Sequence, residues 1–304
     1  MDNPDIDSNK KKITLKNNHL STRDWSERIG LALLFIGFGA LIMIVFKPWG
    51  KQFITDRSDN YLWRIGLSLI LLVLAWLVKR SRRFEKYWQI FCAIFILSAA
   101  LSIDWVFGGF LYDSLHISDS EPIGWVFEKL NEVAVIVCVV IVFTRLSGGS
   151  LGSIYIQKGN LKLGLIIGAI TFTIAAAGSI PTAVLMFKGE GLTVARVIPW
   201  IPFLLLIVLA NGTSEEILFR GLFLRKLEPF FGKFVSNFLV ALVFTVLHKG
   251  SMYTSDQYLF LVILTPLALL WGYIMQKTDS LWGSILFHAG MDIPIFLGIF
   301  SGLS

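Results

Sequence analysis

The most constraining feature of this sequence is a long apolar segment that contains three charged residues. Residues 197–210 are almost entirely apolar, and Glu215, Glu216 and Arg220 follow before the segment turns basic at Lys226. Each charge at the middle of a bilayer costs about 2.5–3.5 kcal/mol on insertion scales, so three unpaired charges would cost about 8–10 kcal/mol. These side chains must therefore face protein or enclosed water, and the sequence predicts that they serve a function.

The composition is that of a protein that crosses a membrane several times. Of 304 residues, 55% are hydrophobic and 16% are charged, whereas soluble domains carry about 25% charged residues. The net charge of +6 does not indicate a nucleic-acid partner, because the basic residues cluster in short segments between apolar runs, as membrane topology requires. Cys92 and Cys138 both lie in apolar runs and are interpreted as small core residues without a disulfide.

Nine apolar runs predict an all-α fold, a polytopic transmembrane bundle of about eight or nine helices. The runs cover residues 29–46, 62–78, 88–103, 133–143, 161–180, 198–226, 234–247, 259–275 and 281–300. The fourth and seventh runs are shorter than the roughly 20 residues that a bilayer requires, which leaves the count open between eight and nine.

Three regions are predicted along the chain. Residues 1–28 form a polar tail, residues 29–147 a transmembrane region of about four helices, and residues 155–304 a second region of about five helices. A Gly/Ser-rich joint at 147–153 separates the two transmembrane regions.

The distribution of basic residues predicts a cytoplasmic N-terminus. If the helices simply alternate, the lysines of residues 10–16 and the basic segment 79–86 fall on one side of the membrane, opposite the acidic link at 113–121. Further cations on the basic side are Arg145, Lys158, Lys162, Arg225, Lys226 and Lys233. The link that contains Lys47 and Arg57 is a partial exception.

Two of the four histidines, His248 at the end of an apolar run and His288 within one, are candidates to accompany Glu215. Counting from the cytoplasmic helix ends, Glu215 lies about 16 Å, His248 about 24 Å and His288 about 14 Å into the membrane, at 1.5 Å per residue. Helix tilts of about 20° absorb much of this spread. We therefore expect the three side chains to share one cavity.

Helical spacing assigns different roles to the two glutamates. Glu216 and Arg220 are four residues apart and predict an internal ion pair that supports the helix. Glu215 points about 100° away and has Asn211 one turn before it. Intramembrane charges also serve as structural pairs or transport pathways, and this structural interpretation suits Glu216 and Arg220 taken alone.

Other parts of the sequence are given structural interpretations. Glu128 and Glu132, at the start of the fourth run, are interpreted as an interfacial helix face. The sequence has no H-E-x-x-H motif of a soluble zinc protease. Residues 148–152 match G-x-S-x-G only in letters, because no strand precedes them.

Three motifs in order resemble those of one family. Glu215–Arg220 matches E-E-x-x-x-R, Phe244–His248 matches F-x-x-x-H, and His288–Asp292 matches H-x-x-x-N/D. On separate membrane helices they are similar to the CAAX prenyl protease type II and bacteriocin-processing family, also called CPBP or Abi. The resemblance covers about residues 155–304.

The resemblance implies an intramembrane endopeptidase with a helical cavity open towards the cytoplasm. Carried over, Glu215 and His248 would activate water, and His288 and Asp292 would face the scissile carbonyl group. Asp292 stands where the motif frequently has asparagine. The difference matters because an amide donates hydrogen bonds, whereas a carboxyl group donates one only when it is protonated.

The residues leave the cofactor open. Glu215, His248 and His288 match a common catalytic zinc ligand set of one glutamate and two histidines, so zinc or another divalent metal is an alternative to a metal-free mechanism. The glutamate-based version is favoured here, because the resemblance does not itself establish a metal.

The expected activity is hydrolysis of a peptide bond in a membrane-associated peptide or protein, in a bacterial plasma membrane. A non-catalytic scaffold, for example in bacteriocin immunity or cell-envelope regulation, is the alternative. A transporter is a weaker third possibility, because no inverted repeat or pair of broken helices is visible. The expected partners are the lipid bilayer and a peptide or membrane-protein substrate, and the substrate's identity and the oligomeric state are not readable from the sequence.

Overall fold

The computed structural model describes residues 22–47, 52–115 and 121–303, and within these ranges all regular secondary structure is helical. The predicted fold class, an all-α polytopic bundle, is confirmed. Most of the predicted polar tail, residues 1–21, lies outside the described residues. The α-helices are α1 (Thr22–Val45), α2 (Arg57–Arg80), α3 (Trp88–Phe107), α4 (Phe110–Leu115), α5 (Pro122–Leu146), α6 (Leu161–Ala177), α7 (Ser179–Met186), α8 (Val194–Val197), α9 (Ile201–Glu216), α10 (Leu222–Leu247), α11 (Gln257–Thr278) and α12 (Trp282–Ser301).

The chain is an integral, multi-pass membrane protein. Six of the described helical stretches are long and apolar enough to cross a membrane, or seven if α6 and α7, which are bent by 61°, form one span. The stretch Val194–Leu247 is counted once, although Gly232 has a φ of 72° and breaks the helix there. This break separates the sixth and seventh runs predicted from the sequence.

Helix α5 is longer than the short fourth run suggested. It begins at Pro122, a residue favoured in the first turn because it lacks an N–H donor, and continues for 25 residues. Its first half carries Lys129 and Glu132, whose side chains pair with each other at 2.5 Å. Glu132 also accepts a hydrogen bond from Ser214 on α9 at 3.2 Å. Because these charges find partners inside the protein, the helix extends well before the apolar run begins.

A buried arginine joins the first three helices. Arg64 on α2 donates hydrogen bonds to the carbonyl oxygens of Phe46 at 2.8 Å and Leu101 at 3.3 Å. One turn further along α2, the hydroxyl groups of Ser68 and Ser102 lie 3.0 Å apart. Buried polar groups need such partners, so these contacts fix α2 and α3 against the end of α1.

Helix α12 lies at the centre of the second region and packs against α6, α7, α9 and α11. Glycines permit this close packing, as is common between membrane helices. A Cβ atom on Gly283 would lie 2.7 Å from the carbonyl oxygen of Gly164 on α6. A Cβ atom on Gly212 of α9 would lie 3.2 Å from the carbonyl oxygen of Ile285. The close approach of α9 to α12 brings the first motif beside the third.

Contacts between remote connections gather them at two ends of the bundle. At one end, called here the basic end, Lys86 pairs with Glu27 and Arg225 with Asp279. At the other end, called the distal end, Lys188 donates to the carbonyl oxygen of Met252 at 2.7 Å. These contacts join connections that are remote in the sequence and define each end structurally.

Candidate active site

The two glutamates end α9, and the helix then changes its geometry. A π-helical turn spans Ile217–Gly221 before α10 begins, and all five of its residues are buried. Single π-turns inside α-helices are uncommon and frequently occur at functional sites. Within this turn the side chain of Arg220 folds back on Glu216.

Glu216 is completely buried and is held by three donors. Its Oε1 atom lies 3.0 Å from Nη1 of Arg220, which is the predicted ion pair, and 2.8 Å from Nδ1 of His288. Its Oε2 atom accepts the hydroxyl hydrogen of Ser284 at 2.5 Å. Both carboxylate oxygens are therefore occupied. Glu216 thus connects the π-turn to two successive turns of α12.

Aromatic rings enclose this ion pair. The guanidinium group of Arg220 lies 4.1 Å from the ring centre of Phe244 and 5.2 Å from that of Trp271. The ring of His288 stacks on Trp271, with ring centres 3.8 Å apart and planes 9° apart. Aromatic faces attract cations, so this packing favours positive charge at both Arg220 and His288.

Glu215 has a different environment, although it is also buried. Its Oε1 atom accepts a hydrogen bond from Asn211 at 3.2 Å, as the one-turn spacing predicted. Its Oε2 atom has no hydrogen-bond partner among the described residues. This atom lies 3.4 Å from Nε2 of His288 and 3.9 Å from Nε2 of His248. The structure thus brings together the three side chains that were expected to share a cavity.

His248 is fixed at the C-terminal end of α10. Its Nδ1 atom lies 2.9 Å from the carbonyl oxygen of Phe244, which can only accept, so Nδ1 carries the hydrogen. In this tautomer Nε2 is an acceptor, and it faces Glu215. Ser251 and Gln257 donate to the carbonyl oxygen of His248 at 2.7 and 3.3 Å and hold the helix end in place.

Asp292 completes the cluster from one turn beyond His288. Its Oδ2 atom accepts a hydrogen bond from Asn211 at 2.9 Å, and its Oδ1 atom lies 3.7 Å from Nε2 of His288. His288 therefore faces Glu216 at one ring nitrogen and two further carboxyl groups at the other. Since carboxylates only accept hydrogen bonds, these contacts favour an imidazolium ring with hydrogen on both nitrogens.

Glu215, His248, His288 and Asp292 all line a cavity of about 520 Å³. Helix α5 of the first region contributes Trp125, Glu128, Lys129 and Glu132 to its lining. Glu128 and Glu132, which the sequence predicted on an interfacial helix face, thus contribute to this lining, and Glu128 is exposed. Tyr253, in the connection after α10, also lines the cavity, and burial raises the pKa of its hydroxyl group, which stays protonated.

Several contributing residues were missed in the sequence. Ser284 precedes His288 by four residues, so extending the third motif by one helical turn would have placed it on the same face. Trp271 lies in an ordinary apolar run and carries no sequence signal of its role. The contact between Glu132 and Ser214 joins residues 82 positions apart and depends on how α5 packs against α9.

The residue types of the cluster are those of a metal site, but the arrangement of their side chains is not. His288 and His248 both use Nδ1 for a hydrogen bond, which is how histidine ligands of metals are oriented. As the side chains lie, however, no group of three histidine, cysteine, aspartate or glutamate residues in the described part of the chain is arranged to hold a metal ion. His288 is also directed towards carboxylates at both ring nitrogens, which suits a donor better than a ligand.

Comparison with known families supports the motif assignment. Residues 197–294 match the family model of the type II CAAX prenyl endopeptidases, Rce1-like. The resemblance inferred from the three motifs is thereby confirmed. The match covers less than half of the chain, but it includes every predicted site residue from Asn211 to Asp292. No curated protein and no solved structure gave a match.

Proposed function

We propose that this protein is an intramembrane endopeptidase that hydrolyses a peptide bond with a water molecule activated by Glu215. The observation that carries the proposal is the direction of Oε2 of Glu215, a buried atom that faces two histidines and belongs to a side chain of the cavity lining. The family match over residues 197–294 supports the same reaction class.

The nucleophilic water is assigned to the space between Glu215 and His248. Oε2 of Glu215 and Nε2 of His248 are both acceptors, and they face each other at 3.9 Å. A water molecule has two O–H groups and can donate one to each of these atoms. Glu215 then takes one proton as general base, while His248 orients the water through the other hydrogen.

The opposite side of the cluster is assigned to the substrate carbonyl group. As the water oxygen bonds to the carbonyl carbon, negative charge develops on the carbonyl oxygen. The Nε2–H group of His288 is positioned to donate to that oxygen, and its charge is stabilised by Glu216 and Asp292. Asp292 orients His288 as an acceptor. This role does not need the N–H donor that an asparagine at this position would provide.

The reaction balances with these groups alone. The tetrahedral intermediate collapses as the C–N bond breaks, and the proton held by Glu215 passes to the departing amine nitrogen. General-base catalysis of this kind contributes typically about 10²–10⁴-fold. The scaffold alternative has no comparable support, because every motif position retains a residue type that can act in hydrolysis.

The test compares protein N-termini in membranes of cells that express the wild type, Glu215→Gln, His248→Ala or the control Glu228→Gln. Glu228 is a matched control because its carboxylate bonds Tyr155 and Gln276 at the basic end, away from the cavity. We expect new N-termini with the wild type and the control, and a loss of at least about 100-fold with Glu215→Gln. Identical N-termini in all four samples, at equal protein abundance, would rule out the peptidase.

Chelation tests the metal alternative separately. Purified wild-type protein is assayed on a substrate found by that comparison, before and after treatment with a chelator, and its metal content is measured. The metal-free mechanism predicts unchanged cleavage. Loss of cleavage that zinc restores would instead assign Glu215, His248 and His288 as ligands.

A further inference from the structure

Charge is distributed very unequally between the two ends of the bundle. The basic end contains eight cations in two segments alone, residues 79–86 and the part of α10 around its break at Gly232. They are Lys79, Arg80, Arg82, Arg83, Lys86, Arg225, Lys226 and Lys233. The acids at that end are few, and two of them, Glu27 and Asp279, pair with cations there. Four further lysines, at residues 10–12 and 16, precede α1 in the sequence.

The distal end has no such excess of cations. Its described connections contain Lys47, Arg57, Lys188, Arg196 and Lys249, and acids at 56, 59, 121, 190 and 256 offset them. The short segments 48–51 and 116–120, which lie outside the described residues, add one lysine and one aspartate. The cations near the first link, a partial exception in the sequence, are thus balanced in number by acids of the same connections.

The cavity lies on the distal side of the catalytic cluster. Glu215, Trp271 and His288 are the lining residues that lie nearest to the basic end along their helices. From there the described lining continues only towards the distal end, along the first halves of α5 and α11, the second half of α12 and the end of α7. The connection after α10 contributes Met252 and Tyr253.

We infer that the cavity opens towards the extracytoplasmic face of the membrane, and that the substrate is a peptide segment presented from that face. The inference rests on the proposed function. Connections rich in lysine and arginine remain in the cytoplasm during insertion, which places the basic end inside the cell. The cavity that leads to Glu215 therefore opens on the other side.

This orientation changes the expected substrate class. The family resemblance implied a cavity open towards the cytoplasm, which is incompatible with a cytoplasmic basic end in this fold. A segment that reaches Glu215 from the distal end belongs to an exported peptide or to the extracytoplasmic end of a membrane protein. Walls that include Phe260, Met291 and Phe296 suit an apolar segment of such a chain.

The orientation is measured with single cysteines in a background that carries Cys92→Ala and Cys138→Ala. Met252→Cys reports on the distal end, where Met252 is 69% exposed beside the cavity. Phe84→Cys reports on the basic end, where Phe84 is 46% exposed and its replacement removes no charge. Bacterial spheroplasts are treated with a membrane-impermeant maleimide before and after permeabilisation.

We expect labelling of Met252→Cys in intact spheroplasts and labelling of Phe84→Cys only after permeabilisation. The reverse pattern, labelling of both in intact spheroplasts, or labelling of neither until permeabilisation would each overturn the inference. Folding of each variant is checked by its accumulation in the membrane, and both sites are chosen on exposed side chains to limit disturbance.

A second measurement connects the labelled site with the route of the substrate. Attachment of a bulky maleimide to Met252→Cys should lower cleavage of a substrate at least about tenfold relative to the same unlabelled variant, whereas labelled Phe84→Cys should retain cleavage. Retained cleavage with labelled Met252→Cys would contradict entry beside this residue. The two proposals can fail separately. A reversed labelling pattern would overturn the orientation but not the peptidase activity. Full cleavage by Glu215→Gln would overturn the peptidase mechanism but not the labelling result.

Discussion

Glu215 and Glu216 are adjacent residues of the same type, and both are buried, but their surroundings differ. Glu216 has both oxygens occupied, by Arg220, His288 and Ser284. Glu215 accepts a hydrogen bond from Asn211 at one oxygen, while its other oxygen lacks a hydrogen-bond partner among the described residues, and its side chain belongs to the cavity lining. One carboxylate is surrounded by protein donors, and the other is directed towards the place where a substrate would bind.

The difference shows that, in one charged cluster inside a membrane, one residue can stabilise the fold while its neighbour remains available for a reaction. A buried charge is tolerated when it is paired and hydrogen-bonded, and Glu216 meets both conditions. An acceptor left without a partner is costly to the fold, and such groups occur at sites that bind or react. The rotation of about 100° between consecutive helical residues is sufficient to place the two glutamates in these different environments.

The largest effect on stability is expected from Arg220→Ala. This change leaves Glu216 buried without its cation, and breaking a buried pair in this way costs about 3–5 kcal/mol. We expect little folded protein in the membrane and a lower midpoint of thermal unfolding in detergent. Glu215→Gln should accumulate like the wild type, because its amide keeps the size of the side chain.

The matched control for Arg220→Ala is the double variant Arg220→Ala with Glu216→Ala, which removes the uncompensated charge. It should recover part of the lost stability. If Arg220→Ala accumulated normally, the pair would not be the support that its burial indicates, and the contrast between the two glutamates would be lost.

His288→Ala should have the next largest effect, mainly on the reaction. Removing one donor to a developing oxyanion lowers kcat by about 10²–10³-fold, and His288 is the ring nearest to Glu215. Glu216 retains its contacts with Arg220 and Ser284, so the protein should still fold. Single-turnover cleavage measured at saturating substrate isolates the chemical step, and a change in KM alone would refute the role assigned to His288.

Asn211 is expected to act through the orientation of Glu215 and Asp292, to both of which it donates. Asn211→Ala leaves two acceptors short of a donor, at a cost of about 1–3 kcal/mol. Asn211→Asp should be more harmful than Asn211→Ala, because it places a third carboxyl group against the other two. Cleavage per folded molecule tests this order, and an Asn211→Asp variant as active as the wild type would argue against the assigned contacts.

The sequence predicted the parts of this protein that depend on local pattern. The apolar runs, the i,i+4 relation of Glu216 and Arg220, and the three motifs all lie within single helices, where spacing determines which side chains share a face. The π-turn was not predictable in this way, because it depends on how the buried residues Ile217–Gly221 pack against neighbouring helices.

Contacts between remote helices were the main source of error. Trp271 stacks on His288 although neither run indicates it, and Glu132 reaches Ser214 because α5 packs beside α9. The direction of the cavity also depends on packing, since it follows from which halves of the helices line it. Charge counting predicted the orientation of the helices but contained no information about which end the cavity opens to.

Ser284→Ala should have the smallest effect of the series and gives the finest test of the contrast between the glutamates. The hydroxyl group donates to Glu216 at 2.5 Å, but Glu216 keeps Arg220 and His288 after its removal. The loss should be about 1 kcal/mol, typical of one hydrogen bond. We expect a small decrease in the thermal midpoint and little change in cleavage per folded molecule. A loss of cleavage as large as that of Glu215→Gln would show that the contacts of Glu216 take part in the chemical step, and the division between a supporting and a reacting glutamate would then have to be abandoned.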